Sequence, residues 1–384
     1  MKAKIKNFFD GGAFNSFLSS FTAIIIGLIF GLIILFLSNP SEAMEGFQII
    51  LKGGFSGGLK GLGDTLYFAT PLILTGLSVG FAFKTGLFNI GAAGQFMVGA
   101  FFAVYVGIAF PELGSLQWFV AIIAGLIGGA LWGIIPGVLK AYRNVHEVIA
   151  TIMMNYIGMY LVNMTVRNSS VLFDNVRNQS KLPNATAIIP KMGLNKIFPG
   201  SSVNGGFLIA IVAVIVIYIL LNKTTFGYEL KAVGYNRDAS RYAGINEKKS
   251  IIMSMAISGA LAGLGGALLL LAGAGKHLEV VDILPAEGFN GIPVALLGMS
   301  HPVGVFLSAL FISHLGRGGF YLQRLKFVPE IITIITASIV YFSAFSLVVK
   351  NNINKIRRKF AKDKDKQNAN REIEETKDLA EEGR

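Results

Sequence analysis

Apolar residues run along this chain in long blocks, without the regular polar interruptions of a surface helix. A helix that crosses a bilayer needs about 20 mostly apolar residues. Blocks of that kind lie at 16–38, 65–83, 87–110, 117–139, 147–166, 206–222, 251–275 and 328–349. Two shorter apolar stretches, 285–300 and 303–316, flank "SHPVG" and read as short, broken or re-entrant helices. Counting both as crossings predicts an all-α polytopic membrane protein with about 10 transmembrane helices and both termini on the same side. The membrane domain then covers 16–349, with a short N-terminal segment 1–15 before it and a charged tail 350–384 after it.

The polar breaks carry the topology. Segments 1–15, Lys84, 140–147, 223–250 and 350–384 hold 23 of the 34 Lys and Arg residues, which places them in the cytosol by the positive-inside rule. On that reading 167–205, rich in Asn, Ser, Pro and Gly, is an external loop. The net charge of +12 then points to anionic lipid, not nucleic acid. The first apolar run is too long for a signal peptide and reads as a retained span. The tail passes from basic, "KIRRKFAKDKDK", to acidic, "REIEETKDLAEEGR", and reads as solvated chain near the headgroups.

Composition agrees, with 53% hydrophobic and 15% charged residues against about 45–50% and about 25% in soluble domains. Glycine supplies 46 of 384 residues, and Gly259 and Gly263, with Gly266 beyond, stand at a spacing that marks a close helix contact. Without cysteine there is no disulfide or thiolate metal site. The chain has no G-x-x-x-x-G-K-[ST] phosphate loop, so it carries no ATPase site of its own. His146, His277, His301 and His314 lack ligand spacing, and Lys84, Glu147, Glu287 and Glu330 fall near span ends. An enzyme, a metal centre and a bound cofactor are therefore not expected. What the spans hold is neutral: Asn89, Gln95, Asn155 and Asn290. Such amides serve either as interhelical glue or as the lining of a pathway for an uncharged, hydroxyl-rich solute. The pairs Phe88-Asn89 and Phe289-Asn290, five crossings apart, suggest a 5+5 inverted repeat.

"GYELKAVGYNRDASRYAGINEKK", 227–249, lies between two apolar blocks. Within it Asp238 to Gly244 spell a short helix with one small-residue face, ended by glycine and flanked by Arg237 and Arg241. "DASRYAG" resembles the E-A-A-x-x-x-G coupling segment of ABC importer permeases, with Asp238 for Glu and Ser240 for the second Ala. "LKAVGYNRDASRYAGI" and "GLFNIGAAGQ" resemble segments of the branched-chain amino acid, ribose and simple-sugar permease family, with Ala93 where many members have Glu. "EVIATIMMNYIG" and the long external loop resemble the larger permease subunit of nucleoside importers. The resemblance covers about 60–350 and implies a permease that imports nucleosides across a bacterial plasma membrane. It implies a second permease subunit, an extracellular binding lipoprotein, and a cytosolic ATPase that holds the ATP and Mg. It also implies coupling through Arg237, Asp238, Ala239, Ser240, Arg241 and Gly244. Ribose-like sugars or branched-chain amino acids are the alternative cargo, although a charged amino acid finds few partners inside these spans. An ion-coupled carrier and a membrane scaffold are further alternatives. The Lys-, Asn- and Ile-rich composition is compatible with a Gram-positive source.

Overall fold

The computed structural model describes residues 12–273, 275–328 and 330–344. The N-terminal residues 1–11, the tail 350–384 and the end of the last apolar block lie outside the described residues. Residues 12–30 and 338–344 belong to one compact unit and Gly31–Ala337 to another. In the first, Phe30 and Phe342 meet edge to face at 5.8 Å. The first and last of the helices below run from one unit into the other, and the sites described lie in the second.

The chain is helical: α1 (Gly12–Ser38), α2 (Ala43–Lys52), α3 (Gly58–Lys84), α4 (Ala92–Ala109), α5 (Gln117–Arg143), α6 (Glu147–Arg167), α7 (Gly206–Lys223), α8 (Thr225–Tyr235), α9 (Arg237–Tyr242), α10 (Glu247–Leu270), α11 (Ala286–Leu297), α12 (Pro302–Leu322) and α13 (Glu330–Ala344). Among the described residues, seven stretches are long and apolar enough to cross a membrane: 43–84, 92–109, 111–143, 147–167, 206–223, 247–270 and 302–322. Each overlaps a block read from the sequence, yet the bounds differ in two informative places. The block at 87–110 becomes helical only at Ala92, because the Asn89 side chain accepts from the Gly91 N–H (3.0 Å) and turns the backbone out of a helix. The stretch at 285–300 becomes α11, whose 12 residues rise only about 18 Å.

The centre of the unit is built on close backbone approach. Gly125, Gly129 and Gly133 of α5 face Gly259 and Gly263 of α10, and a Cβ on Gly129 or Gly259 would fall within 3.0 Å of the other's carbonyl oxygen. Gly99 of α4 meets Gly263 in the same way. Small residues let backbones approach in a membrane, where dispersion rather than water expulsion holds helices together. The outer faces are aliphatic, as Ile123, Ile127 and Leu131 on α5 and Val212, Ile215 and Val216 on α7 show.

Two ends can be told apart. At one, α8 and α9 gather with Lys84, Lys140 and Arg143; this is the basic end. At the other, 167–205 is tied down by its backbone. Strands β1 (Phe173–Asp174) and β2 (Gln179–Ser180) pair antiparallel, Ser180 N–H donates to Leu278 O (2.9 Å), and Asn184 N–H donates to Gly107 O (2.9 Å). Beneath this cap Arg317 donates to Asp64 Oδ2 (3.2 Å), while Ser202 N–H donates to Asp64 Oδ1 (3.0 Å). The guanidinium lies over the Phe320 ring at 4.9 Å. The apolar stretch 303–316 ends just before Arg317, and the helix α12 continues past it to Leu322. Asp64→Asn removes the charge that satisfies it. The expected loss is about 1–3 kcal/mol, read as a lower unfolding temperature of the purified protein in detergent; an unchanged temperature would refute a stabilising role for the pair.

Candidate functional site

The residues singled out from the sequence fall in three places. The first is a buried polar core between α3, α4 and α10. Asn89 donates to Gln95 Oε1 (2.8 Å) and to Ser258 Oγ (2.7 Å). Ser258 in turn donates to Ser78 O (2.7 Å). Asn155, on α6, accepts from Gly94 N–H (2.8 Å) and donates to Ile90 O (3.0 Å). Asn89, Gln95 and Asn155 are each at most 1% exposed. The Asn89 and Gln95 amides thus satisfy each other, and Asn89 and Asn155 pair with the backbone at Ile90, Gly91 and Gly94, which would otherwise carry unpaired groups at membrane depth.

The second place is the start of α11, where Gly288 packs against Ala93 at the start of α4. Asn290 is exposed there, and Glu287 one turn before it is half-buried. The four amides are therefore not one hydrogen-bonded network: among the described residues Asn290 makes no bond to the other three.

The third place is the basic end. Asn236 caps α9 by accepting from Ala239 N–H (2.9 Å), and Ser240 Oγ donates to Arg237 O (2.7 Å). Arg237 Nε is paired with Glu247 at the start of α10 (2.6 Å). After α9 the chain turns at Gly244 with φ +83°, a left-handed conformation that glycine adopts without strain. Ser240 is buried, while Asp238, Ala239, Arg241 and Gly244 are exposed. Between α8 and α9 lies an open groove of about 540 Å³ whose walls include Tyr228, Ala232, Tyr235, Ala239, Ser240 and Ala243. Tyr235 and Tyr242 are 91% and 94% exposed. The sequence reading overlooked the tyrosines. Their spacing, with Tyr228, Tyr235 and Tyr242 each seven residues apart in a polar segment, was the available signal.

The groove is joined to the membrane part through tight backbone contacts. A Cβ on Gly234, at the end of α8, would fall within 3.0 Å of Lys84 O at the end of α3. Lys84 Nζ donates to Met299 O (3.4 Å), in the turn between α11 and α12. His301, next in that turn, lies 5.8 Å from Tyr218. Burial, with the Lys84 ammonium adding to it, holds its imidazole below the ordinary range, so it is neutral near pH 7 and adds no charge here.

A multi-span helical protein with a buried polar core, a half-length helix and an exposed groove at one end has the build of a membrane transport subunit. The chain belongs to the family described as branched-chain amino acid transport system, permease component, which it matches over residues 61–349. It is 41% identical to the guanosine ABC transporter permease protein NupP of Bacillus subtilis (strain 168), across 88% of this chain and 96% of that protein. It is 38% identical to the nucleoside ABC transporter permease protein NupB of Lactococcus lactis subsp. cremoris (strain MG1363), across 85% and 90%. A glucose ABC transporter permease protein, TsgB13 of Haloferax volcanii, is 32% identical across 73% and 75%. No solved structure matches the chain. As a permease component it is a transport subunit and not an ATPase.

Proposed function

We propose that the chain is the translocating permease subunit of an ATP-driven nucleoside importer in a bacterial plasma membrane. The observation that carries this reading is the likeness, over most of both chains, to two permeases whose names specify guanosine and nucleosides. The groove between α8 and α9 supports it physically: the sequence has no ATP site, so energy must enter through a surface another protein can grip.

On this reading the basic end faces the cytosol and 167–205 caps the outside. Ten crossings result when α11 and the loop before it are taken as one crossing, together with α1 and α13. The two helices that begin inside the bundle at a Phe-Asn pair, α4 and α11, would be the related halves of an inverted repeat. A cytosolic ABC ATPase, holding ATP and Mg, docks on Arg237, Asp238, Ala239, Ser240, Arg241 and Gly244, with Tyr228 and Tyr235 as aromatic anchors. Its closure pushes α8 against the end of α3 through Gly234, and so displaces segment 85–91 and the α11–α12 turn. Asn89, Gln95 and Asn155 act on the pathway by fixing the shape of 85–91, and Asn290 acts by facing it. A second permease subunit completes the pathway, and an extracellular lipoprotein delivers the solute. A Gram-positive source remains compatible with the composition.

The test is uptake of labelled guanosine by cells expressing the complete transporter, with ionic gradients clamped. Uptake is expected to collapse on ATP depletion; persistence would point to an ion-coupled carrier. The glucose permease relative favours sugars as a second reading. Excess glucose or ribose that displaces guanosine as well as excess unlabelled guanosine does would support it.

A further inference from the structure

The first turn of helix α11 carries a polar face that is partly open, with Asn290 exposed and Glu287 half-buried. The last turn of the helix lies at the basic end, where Met299 O accepts from Lys84 Nζ. Gly291 packs on Thr75, about 13 Å along α3 from Lys84. The first turn of α11 therefore sits near mid-depth in a bilayer core about 30 Å thick. The chain reaches it through 281–285, which is not helical. Val281 and Ile283 in that approach are 39% and 73% exposed. Non-helical backbone at membrane depth persists only where protein buries it or where it faces a water-filled cavity. The other such segment, 85–91, contains Thr85, Leu87 and Asn89, all at most 4% exposed. The approach to α11 is more open, although Asn163 Nδ2 donates to Val281 O (2.8 Å) and Gly288 N–H to Pro285 O (3.2 Å); what calls for water is the polar face of the first turn of α11.

The side chains on this face agree. Glu287 and Asn290, three residues apart, share one side of the helix. Neither has a hydrogen bond or ion pair among the described residues. A carboxylate turned to hydrocarbon is strongly disfavoured, and the lipid-type faces of α5 and α7 are aliphatic at comparable depth. The sequence reading placed Glu287 near the end of a span; because α11 is half-length, that end lies inside the membrane.

We propose that Glu287 and Asn290 form a hydroxyl-reading subsite on the wall of the translocation pathway, which takes the ribose of a nucleoside. The proposal rests on the nucleoside importer reading. An ionised carboxylate only accepts hydrogen bonds and has two oxygens to do so; the 2′- and 3′-hydroxyls of ribose are two adjacent donors. The Asn290 amide, one turn on, adds both a donor and an acceptor. A subsite of few hydrogen bonds suits a pathway, since the solute must leave again.

The natural chain has no cysteine, so Glu287→Cys and Asn290→Cys each create a unique thiol. In proteoliposomes containing the whole transporter, both are expected to react with a hydrophilic methanethiosulfonate far faster than Leu131→Cys on the outer face of α5, and guanosine should slow them. In a separate measurement with saturating binding lipoprotein, Glu287→Gln should lower the ratio of guanosine to 2′-deoxyguanosine uptake by about tenfold. An unreactive thiol at 287 means the second subunit or lipid covers the face, and overturns the proposal. So does a reaction that guanosine leaves unchanged, or an unaltered uptake ratio. A wild-type transporter that carries no nucleoside at all sinks the importer reading itself, and the subsite with it.

Discussion

Replacing Ala239 with Asp lowers uptake by the assembled transporter more than about 100-fold and leaves the permease folded in the membrane. Ala239 is exposed on a six-residue helix, and its own N–H is already bonded to Asn236. The methyl group thus holds nothing together within the chain. It does lie on the wall of the groove between α8 and α9. A partner that closes over this wall would bury the new carboxylate without a counter-charge, a penalty of about 3–5 kcal/mol when a buried charge lacks its partner, which corresponds to two or more decades in affinity. Tyr235→Ala should follow the same pattern more mildly, since a 91% exposed aromatic contributes nothing to folding but serves well as an interface anchor. The decisive comparison is guanosine uptake and ATPase stimulation against the amount and unfolding temperature of the permease. If Ala239→Asp keeps both activities, the coupling assignment is wrong.

The sequence made the helices legible because a membrane removes most of the ambiguity. A block of about 20 apolar residues has few stable alternatives in hydrocarbon. The short helix at 237–242 was also readable, since Asp, Ser and the terminal Gly are local signals that act within a turn. What could not be read was the arrangement in depth. Hydropathy treats 87–110 as one block, and only the hydrogen bond from Gly91 N–H to Asn89 shows why helix starts at Ala92. The same blindness put Glu287 at a span end, because the 12-residue length of α11 depends on where Pro285 and the loop before it settle. Asn89, Gln95, Asn155 and Asn290 look alike in sequence, and only tertiary contact separates the bonded pair Asn89–Gln95 and Asn155, tied to the backbone, from one amide on an exposed face. The apolar stretch 303–316 stops short of Arg317, because a charge ends an apolar run in any local reading. Within α12 its charge is met by Asp64, more than 250 residues away in the chain.

Replacing Gly129 with Leu should prevent accumulation of folded protein, and Gly129→Ala should already lower its unfolding temperature. On the face between α5 and α10 even a Cβ at 129 falls on the Gly259 carbonyl oxygen and the Gly263 backbone. These are backbone atoms of a packed helix, so a rotamer change offers no relief. Overpacking by one or two methylenes typically costs about 1–3 kcal/mol, and a Leu that pushes two backbones apart also removes the contacts at Gly125, Gly133 and Gly263. The sum approaches the about 5–15 kcal/mol that a folded domain has at its disposal. Gly316→Ala, on α12, is the matched control, because a Cβ there meets nothing within 4 Å and alanine is the better helix former by about 1 kcal/mol. Fluorescence-detected size exclusion and a thermal ramp on the three variants separate the explanations. Equal loss at 129 and 316 would mean that glycine is needed for flexibility, whereas loss at 129 alone means that α5 and α10 are held at backbone contact distance, the rigid frame against which segment 85–91 and α11 would have to move during transport.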